Sequence, residues 1–134
     1  MKKNSFIPLT SSLHYNGPTL DLEGNQYKEI LGSNFCLKTN FGDNCFMLRG
    51  ERIILAQNFI SDGTDLFIIG QQFLDITDFY KVPCKSSKFD IFFVSRLSNL
   101  CYWPLKDFLC EGILLPYKKL NVFLPLIHCY DNFF

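Results

Sequence analysis

From Asn34 onward the chain sets short apolar runs between turn residues at intervals of roughly ten positions, a pattern that predicts many short antiparallel strands. Phe35-Cys36-Leu37 begins the series, Asn40-Phe41-Gly42-Asp43-Asn44 supplies turn chemistry, and Cys45-Phe46-Met47-Leu48 follows. Arg49-Gly50 allows a tight reversal into residues 52–60, so these two segments are expected to pair as a hairpin. Ser61-Asp62-Gly63-Thr64 is the sharpest local signal, because Asp-Gly accepts the positive φ of a two-residue hairpin turn and should join that strand to residues 65–73. Gly70, inside the second strand, predicts a bulge or bend of the kind that curls a sheet toward a barrel.

Further on, residues 75–80 are short and mixed, residues 82–88 read as a loop, and residues 90–95 as a buried strand. Leu100-Cys101-Tyr102-Trp103-Pro104 is another strand candidate. Residues 105–112 form either one helical turn, opened by Pro104 and closed by Gly112, or a further bend. Residues 113–116 and 121–127 are the last strands. Their prolines, Pro116 and Pro125, mark edges or strand ends, since proline cannot donate into a ladder.

Residues 1–33 are rich in Asn, Ser, Gly, Pro and Thr and carry no sustained apolar period. They predict an irregular lead-in with one short helical turn at Asn25–Leu31, stopped by Gly32. The expected organisation is this lead-in, one β domain over residues 34–130 and a tail at 131–134. The expected fold is mostly β: a single small antiparallel, strongly bent sheet or SH3-like barrel with one or two short helical turns.

Composition narrows the function classes. The chain has 134 residues, 48% apolar and 19% charged, which suits one folded domain. Aromatic residues make up 16%, so most must be interior, and a large aromatic patch left outside would be a contact surface. Thirteen basic residues balance thirteen acidic ones, which disfavours nucleic acid as a ligand. Lys81, Lys85 and Lys88 nevertheless cluster around one loop, and Lys118 and Lys119 lie in another; keeping exposed loops soluble is their plainest role. With no bilayer-length apolar run and no apolar signal core in the first eight residues, the chain is expected to be soluble and intracellular. Its six cysteines sit mostly beside Phe, Leu or Tyr and are expected to be reduced.

Catalytic and cofactor signatures are weak. His14 and His128 are the only histidines, and in a strand the adjacent His128 and Cys129 point to opposite faces. No two cysteines stand two to four residues apart, as zinc ligands usually do. A small metal- or thiol-dependent enzyme would use His128 with one or more cysteines distant in sequence, and a metal would need a composite site such as Cys84, Cys110, His128 and Cys129. No cofactor is expected, because no glycine-rich phosphate loop is present. The remaining candidates are aromatic: Phe79, Tyr80, Tyr102 and Trp103, with Tyr117 and Tyr130, lie at strand ends and loops where rings can receive an apolar side chain or a cation. Asp75 and Asp78 would attract a positive group, although a solvated bend explains them more simply. Trp103, the only tryptophan, reads more plainly as closing the core under Pro104.

Between Gly42 and Tyr117 the order of features resembles the bromo-adjacent homology domain, a β-rich module of chromatin proteins. Gly42-Asp43-Asn44-Cys45-Phe46-Met47-Leu48 is similar to its opening strand, and residues 53–59 to the strand that follows. Residues 65–73 with Asp78-Phe79-Tyr80 resemble its acidic-aromatic corner. Residues 86–95, then Leu105-Lys106-Asp107-Phe108 and Leu114, resemble its late strand and the segment that returns to the barrel. Pro83-Cys84-Lys85-Ser86-Ser87 and Leu124-Pro125-Leu126-Ile127-His128 are also similar to tail regions of proteins associated with mobile elements. Both resemblances imply a non-enzymatic interaction module, the first a nuclear reader of chromatin-associated peptides with a protein or peptide partner. The ligand site expected on this reading is Asp75, Asp78, Phe79, Tyr80, Tyr102 and Trp103. A self-associating fragment of a larger protein is the further alternative, suggested by the apolar ending Asp131-Asn132-Phe133-Phe134.

Overall fold

The computed structural model describes residues 9–32 and 36–126. They form ten strands, β1 (Leu9–His14), β2 (Asn25–Leu31), β3 (Cys36–Lys38), β4 (Cys45–Leu48), β5 (Arg52–Ser61), β6 (Leu66–Asp78), β7 (Phe92–Leu97), β8 (Cys101–Pro104), β9 (Phe108–Tyr117) and β10 (Leu120–Pro125). Two 3-10 turns, Ser86–Phe89 and Leu105–Asp107, complete the described elements. The protein is mostly β, and its strand pairings are antiparallel.

The strands run in the order β1-β2-β5-β4-β9-β10-β7-β6-β8, with β3 on β2 and a further pairing between β5 and β6. That last pairing returns the sheet on itself in a circuit of six strands, β5-β4-β9-β10-β7-β6. It is not a clean barrel, because β5 runs past the circuit to pair with β2, and β6 to pair with β8.

One core fills the circuit, and each of its six strands contributes to it: Cys45, Met47, Ile53, Phe73, Phe92, Val94, Cys110 and Phe123. A second core lies against the outside of β4, β5 and β6, where Phe46, Leu48, Ile54, Ala56, Phe59 and Ile68 meet Ile30 of β2, Leu37 of β3, Trp103 and Leu105. Successive strand residues face opposite ways, so β4 feeds both cores and all four of its residues are buried. Each fully buried Phe, Ile or Leu contributes about 1.5–3 kcal/mol. Phe46 stands at the centre of the outer core, its ring 6.4 Å from Phe59 and 5.8 Å from Phe108.

Turn chemistry places the two predicted hairpins. In the β5–β6 turn the positive φ, 95°, falls on Gly63. Asp62 serves through its carboxylate instead, accepting from the Thr64 and Asp65 amides at 2.9 and 2.8 Å. The bulge expected at Gly70 lies on the facing strand: Ala56 pairs with Gly70 and Asn58 with Ile69, leaving Gln57 as the extra residue. Because of that extra residue, Phe59 rather than Asn58 joins Ile54 and Ala56 in the outer core.

Several expectations are corrected. Asn25–Leu31 is a strand, not a helical turn, with β1 on one edge and β3 and β5 on the other. Its buried residues, Gln26 and Ile30, are four apart, a spacing that shares a face in a helix and in a strand alike. Pairing on both edges decides for the strand, and β1 and β2 are therefore part of the sheet rather than a lead-in. Residues 75–78 continue β6. Only Leu105–Asp107 of the 105–112 segment is helical; β9 begins at Phe108 and runs through Gly112, which pairs with Pro125. Pro116 and Pro125 lie near strand ends as expected, but β9 and β10 are interior strands of the sheet, not edges.

Candidate interaction surface

A strand with one face in a core ordinarily shows polar side chains on the other. β9 does not. Cys110 and Leu114 pack into the interior core, while Ile113, Leu115 and Tyr117 alternate outward and are 38%, 45% and 43% exposed. The neighbouring strands match them row by row: Ile113 pairs with Leu124, Leu115 with Val122, Val122 in turn with Phe93, and Tyr117 with Leu120. Cross-strand apolar pairs of this kind stabilise the sheet locally, yet here Ile113, Leu115, Tyr117 and Leu120 also leave apolar surface open to solvent around a buried Val122. The opposite outer face, on β4 and β5, is sealed by β2, β3 and Trp103.

An aromatic corner bounds this face. Phe79, directly after β6, packs edge-on against Phe93 of β7 at 5.0 Å, Tyr117 of β9 at 5.2 Å and its neighbour Tyr80 at 6.0 Å. Phe93 and Tyr117 are 5.9 Å apart, and Lys118 Nζ stands 5.5 Å from the Tyr117 ring centre. Ser86, fully buried, holds the corner in place. Its Oγ accepts from the Phe79 and Tyr80 amides at 2.7 and 3.2 Å and donates to the Ile91 carbonyl at 2.8 Å. Asp78 accepts from the Ser87 amide at 2.7 Å, which ties the far side of the loop to the end of β6.

The residues expected to form one ligand site are thus divided. Phe79 and Tyr80 belong to the corner, together with Tyr117. Trp103 is 6% exposed and fills the outer core, as its plainer reading anticipated. Tyr102 is on β8, its ring 5.7 Å from Phe67. It pairs with Ile69, so position 69 to position 78 of β6 separates it from the corner by up to about 30 Å of extended strand. Tyr130 lies outside the described residues.

Both aspartates have partners within the protein, Asp75 the Arg96 guanidinium and Asp78 the Ser87 amide. Arg96 donates to Asp75 through Nε at 2.6 Å and a terminal nitrogen at 2.8 Å, and this pairing holds the Asp75 carboxyl below its usual range. The Ser87 hydrogen bonds do the same for Asp78. A lowered folded pKa means that the Asp75 interaction is present above the ordinary aspartate value, about 3.9, and is lost as pH falls through the folded value below it. Following the Asp75 carboxyl carbon by NMR through an acid titration should give a midpoint below that ordinary value. Arg96→Ala should move the midpoint up toward it, and an unchanged midpoint would remove Arg96 as the cause.

The described residues assemble no group of three or more His, Cys, Asp or Glu suited to a metal. His14 Nε2 is committed to Asn58 Oδ1 at 2.9 Å. Burial and the neighbouring Cys110 push the Cys45 thiol far up, away from the thiolate a nucleophile needs. Cys36, Cys45, Cys84, Cys101 and Cys110 are thiols; His128 and Cys129, half of the composite site considered above, lie outside the described residues. No described helix is long and apolar enough to cross a membrane.

Sequence reasoning missed Phe93, Ile113, Leu115, Leu120 and Ser86. The signal was in β10, where Leu120, Val122 and Leu124 alternate with Asn121, Phe123 and Pro125: apolar positions at both parities mark a strand with two apolar faces.

A model of the family described as Domain of unknown function (DUF8592) matches residues 13–126, from within β1 to just past β10. No curated protein and no solved structure matches the chain. The resemblance to the bromo-adjacent homology domain rests on the residue pattern alone.

Proposed function

The chain belongs to the DUF8592 family, and from that premise we propose that it is a non-enzymatic protein-interaction module whose contact surface is the outer face of β9, β10 and β7 with the aromatic corner beside it. One observation carries this reading: Ile113, Leu115, Tyr117 and Leu120 are exposed together on paired strands, around the buried Val122, on a sheet whose other outer face is already covered. A polypeptide is the fitting partner. Aliphatic rows match apolar side chains, whereas nucleic-acid bases need open ring faces, and the rings of this corner are turned edge-on against one another.

The test is selection of binding peptides from a random displayed library with the purified protein, followed by affinity measurement against Leu115→Asp. Leu115 is 45% exposed, so this variant should keep the melting temperature within a few degrees while introducing a charge at the centre of the face. Selected peptides should lose at least tenfold in affinity. Ligands indifferent to Leu115→Asp would place the contact surface elsewhere.

A further inference from the structure

The aromatic-corner end of the apolar face carries an excess of positive charge. Residues 78–90 and 117–120, which the contacts among Phe79, Phe93 and Tyr117 bring together, carry five lysines (Lys81, Lys85, Lys88, Lys118 and Lys119) against two aspartates, Asp78 and Asp90. All five lysines are exposed. Asp78 accepts from the Ser87 amide, and Lys118 Nζ stands over the Tyr117 ring. In a chain with no net charge, this end is locally positive beside the apolar rows.

We infer that the partner is an acidic, apolar polypeptide segment, its apolar side chains on the rows of Leu115 and Ile113 and its carboxylates on the lysine rim of the aromatic corner. This rests on the reading of the face as a contact surface and adds the partner's chemistry to it. A cationic peptide is disfavoured by the same arrangement, because like charges at a rim cost affinity and slow encounter, and because Asp75 is already paired with Arg96. The lysine rim gives rate and selectivity, the apolar rows give the buried area.

Two synthetic peptides of roughly twelve residues, long enough to cross the face at about 3.3 Å per residue, serve as probes: one alternates glutamate with leucine and phenylalanine, the other lysine with the same apolar residues. Their binding is measured by fluorescence anisotropy on the full chain, on Leu115→Asp, and on the triple variant Lys81→Glu, Lys118→Glu, Lys119→Glu, with circular dichroism confirming that each variant is folded. The acidic peptide should bind, lose at least tenfold in affinity on the triple variant and on Leu115→Asp, and weaken as salt rises from about 0.05 to 0.5 M, where screening shortens to a few ångströms. The basic peptide should bind only to the triple variant.

Equal binding of both peptides to the parent chain, still lost in Leu115→Asp, would overturn the acidic partner while leaving the contact surface standing. Binding that ignores Leu115→Asp would overturn the surface itself. Failure of the acidic peptide to bind would overturn the inference. So would a single-stranded oligonucleotide that outcompetes it, or a dimer in sedimentation that Leu115→Asp dissolves, since the face would then belong to another occupant.

Discussion

Gly70→Ala is expected to lower the unfolding free energy by about 3 kcal/mol or more, measured by denaturant titration. Gly70 sits where β6 crosses the bulge of β5, and a Cβ there would run into the Leu55–Ala56 peptide, the Leu55 carbonyl first. Backbone atoms in a paired strand cannot turn aside as the end of a flexible side chain can. Relief requires β5 and β6 to separate, and their pairing is the one that closes the circuit. Gly63→Ala supplies the contrast. Gly63 has open space around it and only its φ of 95° to defend, so a loss nearer 1 kcal/mol is expected there. Equal losses at the two positions would show that the close approach at Gly70 is not what limits it.

Asn58→Ala should be nearly as damaging, at about 3 kcal/mol, because one fully buried side chain completes the hydrogen bonds of four groups. Asn58 Nδ2 donates to the Pro18 carbonyl at 2.8 Å and to Gln26 Oε1 at 3.0 Å; Oδ1 accepts from the Phe59 amide at 3.0 Å. With Nδ2 spent on two oxygens, Oδ1 must also be the acceptor for His14, so His14 carries its proton on Nε2 and its Nδ1 accepts from the Asn16 amide at 3.2 Å. Gln26 in turn accepts from the Gly17 amide at 2.8 Å. The network fastens the 15–24 connection and the β1–β2 hairpin to β5. A double-mutant cycle of Asn58→Ala with Gln26→Ala should show coupling of about 1 kcal/mol or more, as groups in one network do. Additive losses would mean that the two side chains act separately. The acceptor role of Nδ1 can be read directly from the imidazole nitrogen shifts.

Much of the fold is legible locally. The turns at Arg49-Gly50 and Asp62-Gly63 announce two hairpins, because positive φ and side-chain acceptors in a turn are properties of two or three consecutive residues. The apolar runs of β4, β5, β7 and β10 announce strands for the same reason. The helical turn expected at Asn25–Leu31 failed where a spacing of four satisfies two periods and only the partner strands choose between them. Gly70 is legible as a special position, but the extra residue it accommodates, Gln57, belongs to the partner strand of the hairpin.

For the candidate site, Phe79 and Tyr80 were legible as rings at the end of a strand, since a polar, proline-containing loop follows them. Which other rings they meet was not. Trp103 and Tyr102 are neighbours in the chain on opposite faces of β8, one inside a core and one at the surface, and the Leu115 row has the composition of an interior strand. Alternation along a strand tells which residues share a face, and residue chemistry tells that the face is apolar. Both are written in the sequence. Whether another layer of the protein arrives to cover that face depends on the closure of six strands and the lie of β2 and β3, contacts between residues far apart in the chain, and only the tertiary structure decides it.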